Sequence, residues 1–244
     1  MLVIIYRLFL NILGGILPAL AWLFHYLKKD AHPEPKRMIL KVFLWGALIT
    51  LPVFFVQLGL STLLAGLKLP ALIISILYWF LAIAFTEEFF KYLVVKKVVF
   101  NSKHLDEPLD IMLYMIVAAL GFAALENILY LFSPVNNLSF YQVLNNTVVL
   151  SFIRFIGATF LHALASGTLG YFLIIEAYEI EKRGWFFFSG LLLASALHGL
   201  YNFSIMTFKG TLQIAIPVII LVGLAIFVIW AFNRVKKMKS VVEV

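Results

Sequence analysis

Cysteine is absent from this chain of 244 residues. That excludes disulfides, thiolate metal sites and cysteine nucleophiles together. Charge is scarce as well. Only 13% of residues are charged, where a soluble domain carries about a quarter. Hydrophobic residues make up 64% of the chain and mean hydropathy is +1.04, so the composition is that of a polytopic membrane protein. No internal repeat and no separate soluble domain can be read, and residues 1–244 are expected to form one all-α membrane domain. No His-Glu-x-x-His motif occurs, so spacing alone does not support a metal site. The apolar run from Leu2 to Leu27 is too long for a signal-peptide core, and no small-residue cleavage site ends it. The formal net charge is +7, but the basic residues flank apolar segments instead of forming a patch, which argues against nucleic acid as a partner.

What the chain does contain is long apolar runs. Seven can cross a hydrocarbon core of about 30 Å, and they are placed near 2–27, 39–60, 70–95, 110–132, 148–175, 185–206 and 212–232. Between them lie a proline-punctuated loop at 28–37, a polar break at 101–108, a turn-rich link at 133–137, and a charged stretch at 176–184. Asp106-Glu107-Pro108 has the form of a helix start, an acid before a proline at an early helical position. Fourteen lysines and arginines fall on loops 28–41, 96–103 and 182–183 and on the tail after residue 233, all on one side. The alternate connections carry Lys68 and Lys209, with Arg7 near the start. The expected topology is N-terminus outside and C-terminus cytoplasmic.

Against this apolar background, Thr86-Glu87-Glu88-Phe89-Phe90-Lys91 is the exception, because each charge costs roughly 2.5–3.5 kcal/mol at the centre of a membrane helix. At ~100° per residue, Glu87, Lys91 and Glu88 lie at about 0°, 40° and 100°, on one face. Further polar groups interrupt other segments: Glu126 in the fourth, Arg154 and His162 in the fifth, His198 and Asn202 in the sixth. Counted from the inner helix ends at ~1.5 Å per residue, Glu88 lies ~12 Å deep, His198 ~20 Å, His162 ~21 Å and Glu126 ~24 Å. One shared, water-accessible cavity opening between the helices is therefore expected, with Glu126 the outlier. Each group has a plainer reading: a lone His or Asn as a helix–helix hydrogen bond, Glu126 as a partner of Arg154 or Lys91, and Gly157, Gly167 and Gly170 as close-packing positions. Three carboxylates, two histidines and an asparagine on four helices exceed what packing requires. A desolvated glutamate can take a proton from water, and His and Asn can donate to the oxyanion formed on an amide. The same Glu and His groups could instead hold zinc. Both routes end in hydrolysis.

These motifs are similar to those of the PrsW family of intramembrane proteases, which is grouped with the CAAX prenyl endopeptidases and the Aph-1 scaffold. The resemblance rests on Glu87-Glu88 with Lys91, Phe122 to Glu126, His162 with Gly170, and His198 to Asn202, in order on four segments. Asp106 to Asp110 and His32-Pro-Glu34-Pro also look like family features. The resemblance implies an enzyme of a bacterial or archaeal cell membrane that cleaves peptide bonds of single-pass membrane proteins such as anti-sigma factors. It implies Glu87, Glu88, His162, His198 and Asn202 as catalytic and Lys91 and Glu126 as supporting. Metal-free, glutamate-activated water is the reading preferred; were zinc bound, Glu87, Glu88, His162 and His198 would be its candidates. A silent Aph-1-like scaffold and a proton-coupled transporter are the alternatives. Between the two glutamates, helix geometry favours the i,i+4 pair of Glu87 with Lys91, which leaves Glu88 as the expected base.

Overall fold

The computed structural model describes residues 2–30, 32–132, 140–178 and 184–238. All regular structure among them is helical: α1 Leu2–Leu27, α2 Lys36–Ala65, α3 Ala71–Ile76, a π-helical stretch Leu77–Phe85, α4 Thr86–Val98, α5 Pro108–Leu131, α6 Phe140–Ile156, α7 Ala158–Tyr178, α8 Trp185–Thr207 and α9 Thr211–Val235. Among the described residues, seven helical spans are long and apolar enough to cross a membrane. Ala71–Val98 forms one of them, and Tyr141–Tyr178, which joins α6 to α7, forms another.

The expected spans hold apart from two differences. α2 extends beyond 39–60 at both ends and runs unbroken through Pro52. The fifth segment begins near 140 instead of 148 and is two helices in tandem. The break falls at Gly157, where a Cβ would sit 2.5 Å from the Tyr201 hydroxyl, so only glycine admits that approach. The turn-rich link at 133–137 and residues 179–183 of the charged stretch lie outside the described residues.

The bundle is built around α5. Of its apolar window 83% is buried, against 28–44% for the other spans. It packs against α1, α2, α4 and α7. Glycines set the closest approaches, as small residues do between membrane helices. A Cβ on Gly46 of α2 would lie 2.1 Å from the Ala118 carbonyl, and one on Gly121 of α5 would lie 2.0 Å from that of Phe43. On α7, Gly170 meets the Met112 backbone and Gly167 meets Ile116, so both are close-packing positions. The start of α5 follows from its sequence. Glu107 and Asp110 form a reciprocal capping box with Pro108 in the first turn, and Asp110 accepts from the Glu107 backbone N–H at 2.7 Å. Beside it, Tyr114 donates to Glu34 at 2.6 Å and His32 pairs with Glu107, tying together the two polar stretches at this end. Burial pushes the Glu34 carboxyl above its ordinary range.

Candidate active site

Five spans bring their polar groups to one point. The π-helical stretch leads directly into Glu87 and Glu88, and the Thr86 hydroxyl bonds the carbonyl of Leu81, five residues back. π-Helical turns are rare and concentrate at functional sites. Here the stretch packs against α8, with Phe80 seated on Gly199, next in sequence to His198.

Glu88 is enclosed and saturated. Its Oε1 accepts from Lys91 Nζ at 2.7 Å and faces His198 Nδ1 at 2.9 Å, while Oε2 accepts from the Ser166 hydroxyl at 2.6 Å. Glu87 is held more loosely. Gln57 of α2 donates to its Oε1 at 3.1 Å, but the contacts of Oε2 are all long: Lys91 Nζ 3.5 Å, His162 Nδ1 3.7 Å and His198 Nε2 3.8 Å. The expected Glu87–Lys91 pairing is thus reversed, and the lysine takes Glu88. The cause lies outside the helix, because the ammonium also donates to His162 Nδ1 at 2.8 Å and lies over the Phe122 ring.

Each histidine has one nitrogen tied to a carboxylate. His162 Nε2 lies 2.9 Å from Glu126 Oε2, and His198 Nδ1 faces Glu88. Because His162 Nδ1 accepts from Lys91, its Nε2 carries the proton and donates to Glu126. The two rings stand edge to face, 5.0 Å apart at their centroids. Glu126, the outlier by depth, joins because Cβ atoms tilt toward a helix N-terminus. On antiparallel α5 and α7, Glu126 and His162 therefore lean toward each other. Arg154 then holds Glu126 at 2.7 Å and Asn127 through Nε, and Asn127 donates to Thr159 and to the Gly15 carbonyl. Asn202 stands one turn beyond His198, partly exposed, and no hydrogen bond engages its side chain among the described residues.

The groups meet, but in a packed cluster and not in the open cavity expected from sequence. Glu87 is 3% exposed, and Glu88 and Lys91 have no exposure. The Glu126 side chain, at 21%, is the most open of the cluster's acids. Gln57, Ser166 and Thr159 are participants that sequence reading missed. Gln57 had a signal, as a lone amide within the apolar run 51–60. Ser166 and Thr159 had none, since small hydroxyls are common in membrane helices.

A metal ion is compatible with this arrangement. Glu87, His162 and His198 each aim a donor at one region, within 4.8 Å of one another, offering one oxygen and two nitrogens as zinc sites do. Their outer partners Glu126 and Glu88 are the carboxylates that orient metal-bound histidines. Lys91 would have to leave His162 Nδ1. The fixed charges agree, for three carboxylates face two cations, Lys91 and Arg154, leaving one negative charge for a cation or a proton. The second acidic group, Glu34, Asp106 and Asp110, already serves the capping box and the Tyr114 bond.

Residues 34–231 match the family described as PrsW family intramembrane metalloprotease. The chain belongs to the PrsW family. It is 32% identical to Protease PrsW of Geobacillus kaustophilus over 82% of this chain and 81% of that protein. It is also 32% identical to Protease PrsW of Oceanobacillus iheyensis over 85% and 88%, and 29% identical to that of Bacillus subtilis over 96% and 98%. No solved structure matches the chain. This PrsW-family chain is therefore an integral membrane peptidase acting on membrane-embedded substrates. The family's metalloprotease description and the Glu87–His162–His198 convergence both fit a resident metal ion.

Proposed function

We propose that the chain, one membrane domain throughout, hydrolyses peptide bonds of single-pass membrane proteins of the anti-sigma-factor type where Glu87, His162 and His198 converge. The observation that carries this reading is the loose Oε2 of Glu87, faced by one nitrogen of each histidine. Glu87 accepts the proton of the attacking water, because its Oε2 has no short bond and lies between the two histidines. Glu88 is the positioning carboxylate, fixing His198 and Lys91. Glu126, held by Arg154, fixes the tautomer of His162. Asn202 offers its free amide to the oxyanion that develops on the scissile carbonyl. A divalent ion, if bound, would take Oε2 of Glu87 together with His162 and His198 in place of its proton-accepting role, and would itself polarise the carbonyl and acidify the water. Substrate reaches the cluster by separation of helices near Gln57, Glu126 and Asn202, its partly exposed rim. The orientation we propose is N-terminus outside and C-terminus cytoplasmic, on the distribution of basic residues.

The test is hydrolysis of a panel of single-pass peptides by the full-length protein in detergent, with metal content measured on the same samples. Glu87→Gln should lower the rate by about 10²–10⁴-fold, the worth of a general base, without loss of substrate binding. Glu88→Gln should retain more activity than Glu87→Gln in a matched pH–rate series. The opposite order would return the base to Glu88. If metal is present, Glu87→Gln, His162→Ala and His198→Ala should each deplete it, and a chelator should silence the wild type until zinc is restored.

A further inference from the structure

Away from the site, α1, α7 and α9 enclose a crevice of about 110 Å³. Ligand pockets for small molecules run about 300–1,000 Å³, so this volume suits something slender. Its floor is apolar and aromatic. Trp22 stacks on Phe160 at 4.1 Å and 11°, and Tyr26 lies 5.9 Å from Phe232. Its rim is the opposite in character, formed by His25, Lys29, Asn233 and Lys236, all exposed where α1 and α9 end. No acidic residue lines it, and neither lysine forms an ion pair among the described residues.

We propose that this crevice holds one anionic phospholipid, its phosphate between Lys29 and Lys236 and one acyl chain against Trp22 and Phe160. Charge complementarity selects the occupant. A cationic rim over an apolar slot between membrane helices matches a lipid with a negative head group, and basic pockets on the cytoplasmic side recognise such lipids. A peptide helix, about 10 Å across, does not fit the slot. Phe160 and Leu164, its α7 residues, stand on either side of His162 in sequence, so the occupied crevice borders the helix that carries that histidine.

Trp22 makes the inference measurable. Full-length protein is reconstituted in vesicles of phosphatidylcholine containing brominated phosphatidylglycerol or brominated phosphatidylcholine. The Trp22 signal is taken as the difference from Trp22→Phe. Half-quenching should need about tenfold less brominated phosphatidylglycerol than brominated phosphatidylcholine, from two lysines acting on one head group. The double variant Lys29→Gln/Lys236→Gln should abolish that preference, and Lys29→Arg/Lys236→Arg should keep it. Excess inorganic phosphate should not relieve the quenching. Equal quenching by the two lipids, a preference that survives the glutamine pair, or relief by free phosphate would each overturn the proposal.

Discussion

Glu87 and Glu88 are neighbours in sequence and opposites in environment. Glu88 has three short partners on three helices, whereas the Oε2 of Glu87 has none within 3.5 Å except at that limit. The shared face of Glu87, Glu88 and Lys91 was legible in the sequence, since 100° per residue suffices to place it. The lysine's choice of partner was not legible, because His162 decides it from a helix far along the chain. Ser166 offers a direct check on Glu88. Its hydroxyl donates to a buried carboxylate, and hydrogen bonds to charged groups contribute about 1.5–3 kcal/mol. Ser166→Ala should destabilise the protein by about that amount, measured by thermal unfolding in detergent, while leaving the pH dependence of the rate to Glu87. Glu34 gives a pH test outside the membrane spans. Its folded-state pKa is raised by burial, so its contribution to stability is full below the unfolded value and is lost as pH rises through the folded one. Glu34→Gln keeps the neutral form throughout. Wild type and variant should therefore match at acid pH, with the variant gaining relative stability as pH rises, in unfolding curves measured across that range. A gap that widens toward acid would contradict the burial argument.

At the scale of elements, hydropathy located the spans and a proline after an acid located the start of α5. Hydropathy could not show that the third span changes its helical pitch or that the fifth is broken. Both features depend on close approaches to α8, Phe80 on Gly199 and the Tyr201 hydroxyl at Gly157. The π-helical stretch Leu77–Phe85 sets the rotation at which α4 presents its two glutamates. Removing one residue from it, such as the exposed Leu81, should change the rotation at which α4 continues from α3. We expect a folded, membrane-inserted protein that has lost hydrolysis, with Glu88 no longer facing His198. An active deletion variant would show that the pitch of this stretch is irrelevant to the site.

The whole molecule is a bundle with its centre filled by α5, and only part of that was legible beforehand. All seven spans are apolar enough to face lipid, so hydropathy cannot tell the enclosed helix from those around it. The proposed orientation is tested with reporter fusions at residues 64 and 180. They should report opposite sides, the second cytoplasmic, and agreement between them would sink the topology. The central place of α5 also has a consequence for synthesis. α5 emerges from the ribosome well before α7, which covers one of its flanks and supplies His162, one of the two partners of Glu126. At ~5–20 residues per second, the roughly 50 residues from the start of α5 to the start of α7 take several seconds. For that interval the innermost helix of the finished protein stands beside lipid with its acid lacking His162, and until α6 brings Arg154 it lacks both partners. Nascent chains halted between α5 and α7 should therefore be the ones a membrane quality-control protease clears first.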